Sequence, residues 1–342
     1  MSIVATRSVA ELRRRRRPKW LRYVFAPLFW LVLRPLAKLF PHWWARTITR
    51  AMNRMLGKFG DYRPRAHDVL VCSYFKSGTN WTMQIATQIA YRGHAEFEHI
   101  HDIVPWPEMP ARSSYAVSPN DDNARRAAPT GLRVMKTHLP LGVVPDVPEA
   151  RYIAVVRDPK DVLVSSYHFM RAAGLGRLMP SVNDWVDVFL SADTPTGSWA
   201  EHLASYWRVR NRSNVLFLTY EEMRVDLPAA VDRIASFLGV DLTSEERAAV
   251  IAQSQFAHMK QIGHKFDPPG APWASAKGAM MRRGERGTSG ELLTQDQQRR
   301  VDAYWRDALR RLGCDFPYDG AYALEPARAA APLEQAANTT AG

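Results

Sequence analysis

Short apolar runs alternate with amphipathic segments over residues 66–320. The apolar runs predict buried strands at 69–74, from Leu132 to a stop before Pro140, at 151–157 and at 214–220. The amphipathic segments predict helices at 82–91, 161–170, 183–190, 199–210, 228–238, 244–253 and 294–312. Strands that alternate with helices predict an α/β fold, here a single P-loop-like domain with a central, mostly parallel sheet flanked by helices.

The residues between the first strand and the first helix have the composition of an anion-binding loop, Lys76-Ser77-Gly78-Thr79-Asn80. The first N–H groups of a helix lack internal partners, and the helix dipole favours negative charge there. Gly78 lets the backbone approach a ligand, and Lys76 adds a full positive charge. Ser77, Thr79 and Asn80 supply side-chain donors. The loop therefore predicts a phosphate or sulfate ester as its ligand, and an ordinary strand-to-helix turn with a surface lysine is the alternative.

The order of residues in this loop differs from that of a P-loop. The Walker A motif places its lysine after the last glycine, whereas Lys76 lies two residues before Gly78. The stretch 76–81, which ends at Trp81, resembles instead the 5′-phosphosulfate loop of the cytosolic sulfotransferase family. These enzymes move a sulfuryl group from 3′-phosphoadenosine 5′-phosphosulfate (PAPS) to a hydroxyl or amine. The resemblance implies PAPS as cosubstrate, bound by this whole loop, although Asn80 stands where the family usually has Thr.

A histidine follows the second strand, in the stretch 136–140 that contains Lys136 and His138. Sites of open α/β sheets form at the carboxyl ends of the strands, although a lone histidine is more often structural than catalytic. This stretch resembles the segment that carries the general base of the sulfotransferases. The resemblance implies that His138 takes the acceptor proton and that Lys136 orients the acceptor. It also implies that Lys76 stabilises charge on the leaving oxygen.

The acceptor side of the site lies in less regular sequence. Residues 92–130 form a long segment of the kind that makes lids and binding loops. Trp106 stands between two prolines there and is expected to wall an apolar pocket, with a packed loop aromatic as the alternative. The residues that we assign to the acceptor are Phe75, Trp106, Lys136 and His138. Trp106, the long loops and the N-terminal segment favour an apolar alcohol, phenol, sterol or lipid-linked sugar over a soluble carbohydrate.

A second basic block begins at the end of the third strand and covers 157–169. It resembles the sulfotransferase segment that binds the 3′-phosphate of the nucleotide, and a guanidinium suits bidentate phosphate recognition. The nucleotide contacts that the resemblance implies come from Arg157, Ser165, Tyr220, Ser254, Phe256, Arg282, Arg283 and Gly284. Gln255 replaces the usual Ser, and residues 288–290 replace the usual Asp-Trp-Lys. The family's dimer motif is also largely missing, so no dimer is predicted and the oligomeric state stays open.

The net charge of +12 is confined to one end of the chain. Residues 1–65 hold 16 Lys and Arg against 2 Asp and Glu, whereas the remainder holds 30 against 32. The nearly neutral remainder argues against a nucleic-acid-binding surface. Within 20–44 the uncharged stretch at 23–33 is shorter than the ~20 residues that span a membrane. Aromatic residues beside arginine and lysine favour peripheral attachment to an anionic membrane surface, and a helix packed on the protein's own core or a type II anchor are the alternatives.

Cys72 and Cys314 are the only cysteines, and no His/Cys cluster has metal-ligand spacing. We therefore predict no metal and no disulfide framework, as expected in the cytoplasm. The predicted organisation is a basic, aromatic-rich extension at 1–65, a sulfotransferase domain at 66–320 and a disordered tail at 321–342. A P-loop kinase or NTPase is the alternative function, but its Lys-Ser/Thr pair after a glycine and its magnesium carboxylate are not evident. A non-enzymatic membrane adaptor is a further alternative, which leaves the ordered basic and histidine motifs unexplained.

Overall fold

The computed structural model describes residues 29–109, 115–191, 193–194, 196–268, 280 and 287–324. The arginine run at 13–17, the first part of the aromatic segment at 20–28, the basic residues Arg282 and Arg283 with Gly284, and the tail from 325 onward lie outside the described residues. Within the described ranges the chain forms a parallel sheet covered by helices, which confirms the predicted α/β class.

The sheet has four strands, β1 (Asp68–Ser73), β2 (Arg133–Thr137), β3 (Arg151–Val156) and β4 (Val215–Thr219). They are parallel and run in the order β2-β1-β3-β4. Almost every residue of β1, β2 and β3 is buried because other elements cover both faces of the sheet. Cys72 of β1 lies opposite Thr137 of β2 and Ala154 of β3, so the carboxyl ends of these strands are level.

Helices occupy every segment in which the sequence predicts one. The α-helices are α1 (Arg34–Leu39), α2 (Pro41–Leu56), α3 (Thr79–Ala90), α4 (Asn123–Ala127), α5 (Pro159–Phe169), α6 (Val182–Leu190), α7 (Trp199–Trp207), α8 (Tyr220–Val225), α9 (Leu227–Leu238), α10 (Ser244–Ser254), α11 (Phe256–Gln261), α12 (Gln295–Arg311) and α13 (Tyr318–Tyr322). The helix predicted at 82–91 begins earlier, at Thr79, because Gly78 in a left-handed conformation ends the preceding turn. Asp158 caps α5 by accepting a hydrogen bond of 2.8 Å from the backbone N–H of Lys160.

Alternate side chains of the strands enter two separate apolar layers. Val69 and Val71 of β1 pack in one cluster with residues of α3, α9 and α10. Leu70 and Cys72 pack in another cluster, which includes Tyr206 of α7. The sheet is therefore held between helices on both faces, and the polar turns at its carboxyl edge stay accessible to a ligand.

The amino-terminal edge of the sheet is fastened by a buried ion pair. The guanidinium of Arg133 lies 2.8 Å from the carboxylate of Asp68, and both side chains are fully buried. Tyr62 donates a hydrogen bond of 2.6 Å to the same carboxylate. Removing one partner of such a pair would leave a buried charge uncompensated, which costs about 3–5 kcal/mol.

Helix α2 packs against the body of the protein. Trp44, Ala45 and Thr49 are buried on its inner side, and Arg50 donates two hydrogen bonds of 2.9 Å to the carboxylate of Asp193. Residues 41–56 of the predicted extension are therefore part of the same packed unit as the sheet. Over the ranges that the structure describes, no helix is long and apolar enough to cross a membrane.

Candidate active site

The residues that follow the four strands meet around a cavity of about 300 Å³ at the carboxyl edge of the sheet. Lys76 follows β1, His138 follows β2, Arg157 follows β3 and Tyr220 follows β4, and all four line this cavity. The other predicted residues that line it are Phe75, Gly78, Thr79, Asn80, Trp81, Trp106, Lys136, Ser165 and Phe256. Two predicted residues, Ser77 and Ser254, are fully buried and do not line it.

The loop before α3 is a tight turn, in which the backbone N–H of Ser77 donates a hydrogen bond of 3.1 Å to the carbonyl oxygen of Tyr74. Lys76 and Gly78 both have positive φ, at 65° and 97°. A Cβ atom on Gly78 would lie 2.8 Å from Cδ2 of Tyr220, so only glycine fits beside that ring. Thr79 begins α3, and its hydroxyl shares a hydrogen bond of 2.6 Å with Ser73. A turn at a helix N-terminus is a place where proteins commonly bind anions, which suits the predicted ligand.

Two buried hydroxyls beside the cavity have no hydrogen-bond partner among the described residues. They are the Oγ atoms of Ser77 and Ser254. Trp81 holds the second of them in place, because its indole N–H donates a hydrogen bond of 2.7 Å to the carbonyl oxygen of Ser254. Buried polar groups are normally paired, but neither hydroxyl reaches the cavity surface, so the structure does not bring these two predicted residues into contact with the cavity.

The guanidinium of Arg157 is fixed from three sides. It lies over the ring of Tyr220 at 4.5 Å from the ring centroid. Nη1 donates a hydrogen bond of 3.3 Å to the carbonyl oxygen of Lys76, and Nη2 lies 3.5 Å from Oδ2 of Asp161. Asp161 also accepts a hydrogen bond of 2.9 Å from the backbone N–H of Gly287. Gly287 therefore lies against the helix that follows Arg157.

His138 is held as a neutral imidazole with one free lone pair. Nδ1 lies 2.8 Å from the carbonyl oxygen of Ser73, which can only accept, so Nδ1 carries the proton and Nε2 the lone pair. The ring of Trp106 meets the imidazole edge to face, with centroids 5.6 Å apart. Burial lowers the pKa of His138 well below its ordinary value, and the charge of Lys136 lowers it further. The imidazole is therefore ready to accept a proton at physiological pH.

A buried glutamate that sequence reasoning missed connects these residues. Glu108 accepts a hydrogen bond of 2.5 Å from the indole N–H of Trp106 and one of 3.1 Å from the backbone N–H of His138. Lys136 places its ammonium 3.6 Å from the centroid of Trp106. Burial raises the pKa of Glu108 to about 7. Burial lowers the pKa of Lys136 to about 8, against the opposing effect of the Glu108 charge.

Exchanging Glu108 for glutamine is expected to move the alkaline limb of the kcat/KM profile to lower pH. The carboxylate raises the pKa of Lys136, and an amide of the same shape removes that charge, so Lys136 would lose its proton below its present pKa of about 8. The measurement is a pH–rate profile with a water-soluble phenol as acceptor. Glu149→Gln, at an exposed position, is the control. An alkaline limb that stays in place would contradict the role of Glu108.

Much of the remaining cavity lining is apolar. Its wall includes Phe169 and Met170 at the end of α5 and Met52, Met55 and Leu56 of α2. Sequence reasoning placed residues 1–65 in an extension and so missed the contribution of α2. A repeat of apolar residues along 41–56 was the available signal, but it does not reveal what such a helix covers.

Comparisons with known proteins converge on one family. Residues 66–313 match the family described as the sulfotransferase domain. The amine sulfotransferase of Oryctolagus cuniculus is 30% identical over 285 residues, which cover 78% of this chain and 88% of that protein. Sulfotransferase 2B1 of Mus musculus is 30% identical, with 75% of each chain covered. Among solved structures, mouse sulfotransferase SULT7A1 complexed with PAP superposes with a TM-score of 0.57 at 26% identity, covering 77% of this chain and 90% of that one.

Proposed function

The chain belongs to the sulfotransferase family and is a PAPS-dependent sulfotransferase, and we propose that it sulfates the hydroxyl of an apolar small molecule with His138 as general base. The observation that carries this proposal is the orientation of His138. Its Nδ1–H is committed to the carbonyl oxygen of Ser73, so its only basic atom is Nε2, in a cavity that Lys76 lines as well. The apolar wall of the same cavity supports an apolar acceptor.

In the proposed reaction, His138 Nε2 accepts the proton of the acceptor hydroxyl as its oxygen forms a bond to sulfur. The bond between sulfur and the bridging oxygen breaks, and that oxygen leaves with the nucleotide as 3′,5′-adenosine bisphosphate. Lys76 stabilises the charge on the leaving oxygen, and the N–H groups before α3 hold the sulfuryl oxygens. General base catalysis contributes typically ~10²–10⁴-fold to such a step. The proposal assigns no metal, because the leaving group is stable by itself.

The donor half of the proposal assigns the nucleotide 3′-phosphate to Arg157 and Ser165, with Arg282, Arg283 and Gly284 contributing from residues that lie outside the described ranges. The adenosine is assigned to Tyr220, Ser254 and Phe256. The fixed guanidinium of Arg157 supports the first assignment, because a preorganised fork binds phosphate without further ordering.

Arg157→Ala is expected to weaken the binding of 3′,5′-adenosine bisphosphate roughly 10- to 100-fold, since hydrogen bonds to charged groups contribute about 1.5–3 kcal/mol. The binding of 5′-AMP, which lacks the 3′-phosphate, should be weak in the wild type and little changed by the substitution. Calorimetric titration measures both ligands, and Arg126→Ala, at an exposed arginine near the amino-terminal edge of the sheet, is the control. Equal affinity of the wild type for the two ligands would contradict the assignment and favour the P-loop alternative.

We place the enzyme in the cytoplasm, peripherally at a membrane with anionic lipids. The charge of residues 1–65 and the aromatic residues beside it support this location. Acceptors with a large apolar body, such as sterols, phenols and lipid-linked alcohols, are consistent with both the cavity and the location.

A further inference from the structure

We propose that the outer face of α2, with the residues that flank it on both sides, docks onto an anionic lipid bilayer and brings the mouth of the acceptor cavity to the lipid surface. This docking face is defined by Leu39, Phe40, Trp43, Arg54, Met55 and Lys58. The acceptor would then be an alcohol or phenol that is dissolved in the bilayer. The inference rests on the proposed function, because it takes the apolar half of the cavity as the acceptor pocket.

The docking face is exposed although much of it is apolar. Leu39 is 71% exposed, Phe40 56% and Trp43 57%. Neighbouring apolar side chains of this size at a surface indicate an interaction site. Trp43, Ala51 and Arg54 recur at intervals that place them on one side of a helix, and all three are exposed.

The orientation of α2 on the body is fixed, so the docking face cannot turn inward. Trp44 and Ala45 are buried among residues of the main apolar cluster, which includes Phe189 of α6. The ion pair between Arg50 and Asp193 adds a polar clamp beside them. The outward-facing side chains of α2 therefore keep this orientation in the folded protein.

The charge of this region identifies the partner. Residues 29–60 contain six Lys and Arg and no Asp or Glu. Arg46 and Arg50 pair with Asp193 of the body, and Arg54 and Lys58 are the exposed basic residues of the docking face. Anionic lipids attract such a segment with about 1 kcal/mol per basic residue near the surface, and aromatic and aliphatic side chains insert at the headgroup level. An anionic bilayer can bind both the basic and the apolar side chains of the docking face, and this binding requires no shape complementarity.

The cavity opens toward the docking face. Met55 is 51% exposed and also lines the cavity, so it lies at the mouth. Met52 and Leu56, on the same helix, continue the lining inward. An acceptor that leaves the lipid beside Met55 would enter an apolar path at once, which avoids a passage through water.

The first test compares vesicle binding by two charge-reversal variants of the full chain. Arg54→Glu/Lys58→Glu changes the docking face, and Arg126→Glu/Arg310→Glu makes the same charge change at exposed positions outside residues 1–65. Sedimentation with vesicles of phosphatidylcholine and phosphatidylserine measures the partition coefficient. Because each basic residue contributes about 1 kcal/mol, the loss of two should lower this coefficient at least about 30-fold. The control should lose much less. Equal losses in the two variants would overturn the proposal.

The second test locates the cavity mouth relative to the lipid. A fluorescent label is attached at Met55→Cys or at Arg126→Cys, each in a Cys314→Ser background because Cys314 is partly exposed whereas Cys72 is buried. Vesicles that contain doxyl-labelled lipid should quench the label at position 55 and leave the label at position 126 unaffected. Absence of quenching at 55 would overturn the proposal.

Two other occupants of the docking face would give distinct results. A second copy of the chain would give a dimer that dissociates in a Phe40→Ser/Trp43→Ser variant, as measured by analytical ultracentrifugation without lipid. Coverage by residues 1–28 would protect the label at position 55 from a soluble quencher before lipid is added. Either result would overturn bilayer docking. Titration with 3′,5′-adenosine bisphosphate needs neither lipid nor acceptor, so a failure of the proposed sulfotransferase site would be recognised separately.

Discussion

Replacing His138 by alanine is expected to lower kcat by about 10²–10⁴-fold, the usual contribution of a general base. The affinity for 3′,5′-adenosine bisphosphate should remain close to that of the wild type. The imidazole donates to the carbonyl oxygen of Ser73 and has its lone pair on Nε2, so its loss removes the proton acceptor and leaves the loop before α3 in place. Single-turnover measurements at saturating PAPS separate this loss from any change in substrate binding.

The pH dependence provides a second expectation for the same residue. Burial and the Lys136 charge lower the pKa of His138, so the base stays unprotonated until the pH falls well below its ordinary value of about 6.5. The acid limb of kcat/KM in the wild type should therefore lie below that pH. His94→Ala, at an exposed histidine, serves as the control and should leave rate and profile unchanged. Near wild-type turnover in His138→Ala would remove this residue from the role of base.

Lys76→Gln is expected to lower kcat by about 10²–10³-fold, as for the removal of one donor aimed at developing charge. Lys76 occupies a turn with φ of 65° and holds its ammonium 4.5 Å from the ring centroid of Phe169, within the cavity lining. Its charge is needed most when the bond to sulfur breaks and negative charge grows on the leaving oxygen. Glutamine keeps the length and a hydrogen-bond donor, so the variant isolates the contribution of the charge.

Lys260→Gln removes a charge from an exposed position outside the cavity lining and is the matched control for Lys76→Gln. Product affinity should fall less than kcat in Lys76→Gln, because the charge acts more strongly on the transition state than on the bound nucleotide. If KM for PAPS rises while kcat is preserved, Lys76 contributes uniform binding and another group must stabilise the leaving oxygen.

The edge of the sheet that carries the candidate site was predictable from sequence because parallel strands place their carboxyl ends together. Lys76, His138, Arg157 and Tyr220 each follow a recognisable apolar run, and in the structure all four line one cavity. The runs themselves were detectable since burial on both faces requires nearly continuous apolar sequence. The pattern of apolar runs identifies which residues share an edge of the sheet. It does not predict the hydrogen bonds that orient their side chains.

Glu108 shows where this reasoning fails. It lies in an irregular segment with no periodicity, and its contacts with Trp106 and the backbone of His138 depend on how that segment folds over β2. The ion pair between Arg133 and Asp68 was missed for a related reason. Charged residues at strand ends ordinarily face solvent, so their complete burial depends on the three-dimensional neighbours.

Helix α2 illustrates a third limit. An amphipathic pattern reports that one side of a helix is apolar, but a protein core and a membrane surface both satisfy it. The structure assigns the inner side to the core through Trp44 and Ala45. The exposed Trp43 on the other side could not be distinguished from its buried neighbour by sequence alone.

The position of α2 also separates, along the chain, the residues proposed to bind the acceptor from those proposed to bind the donor. The loop that we propose for the donor and His138, our proposed base, lie within residues 66–313, which match the family, whereas Met52, Met55 and Leu56 belong to a segment that precedes this match. Under the proposed function, substitutions in α2 would change the acceptor wall and leave the residues of the proposed phosphosulfate loop unchanged. Chimeras that exchange only residues 34–58 between relatives offer a direct route to new acceptor specificity.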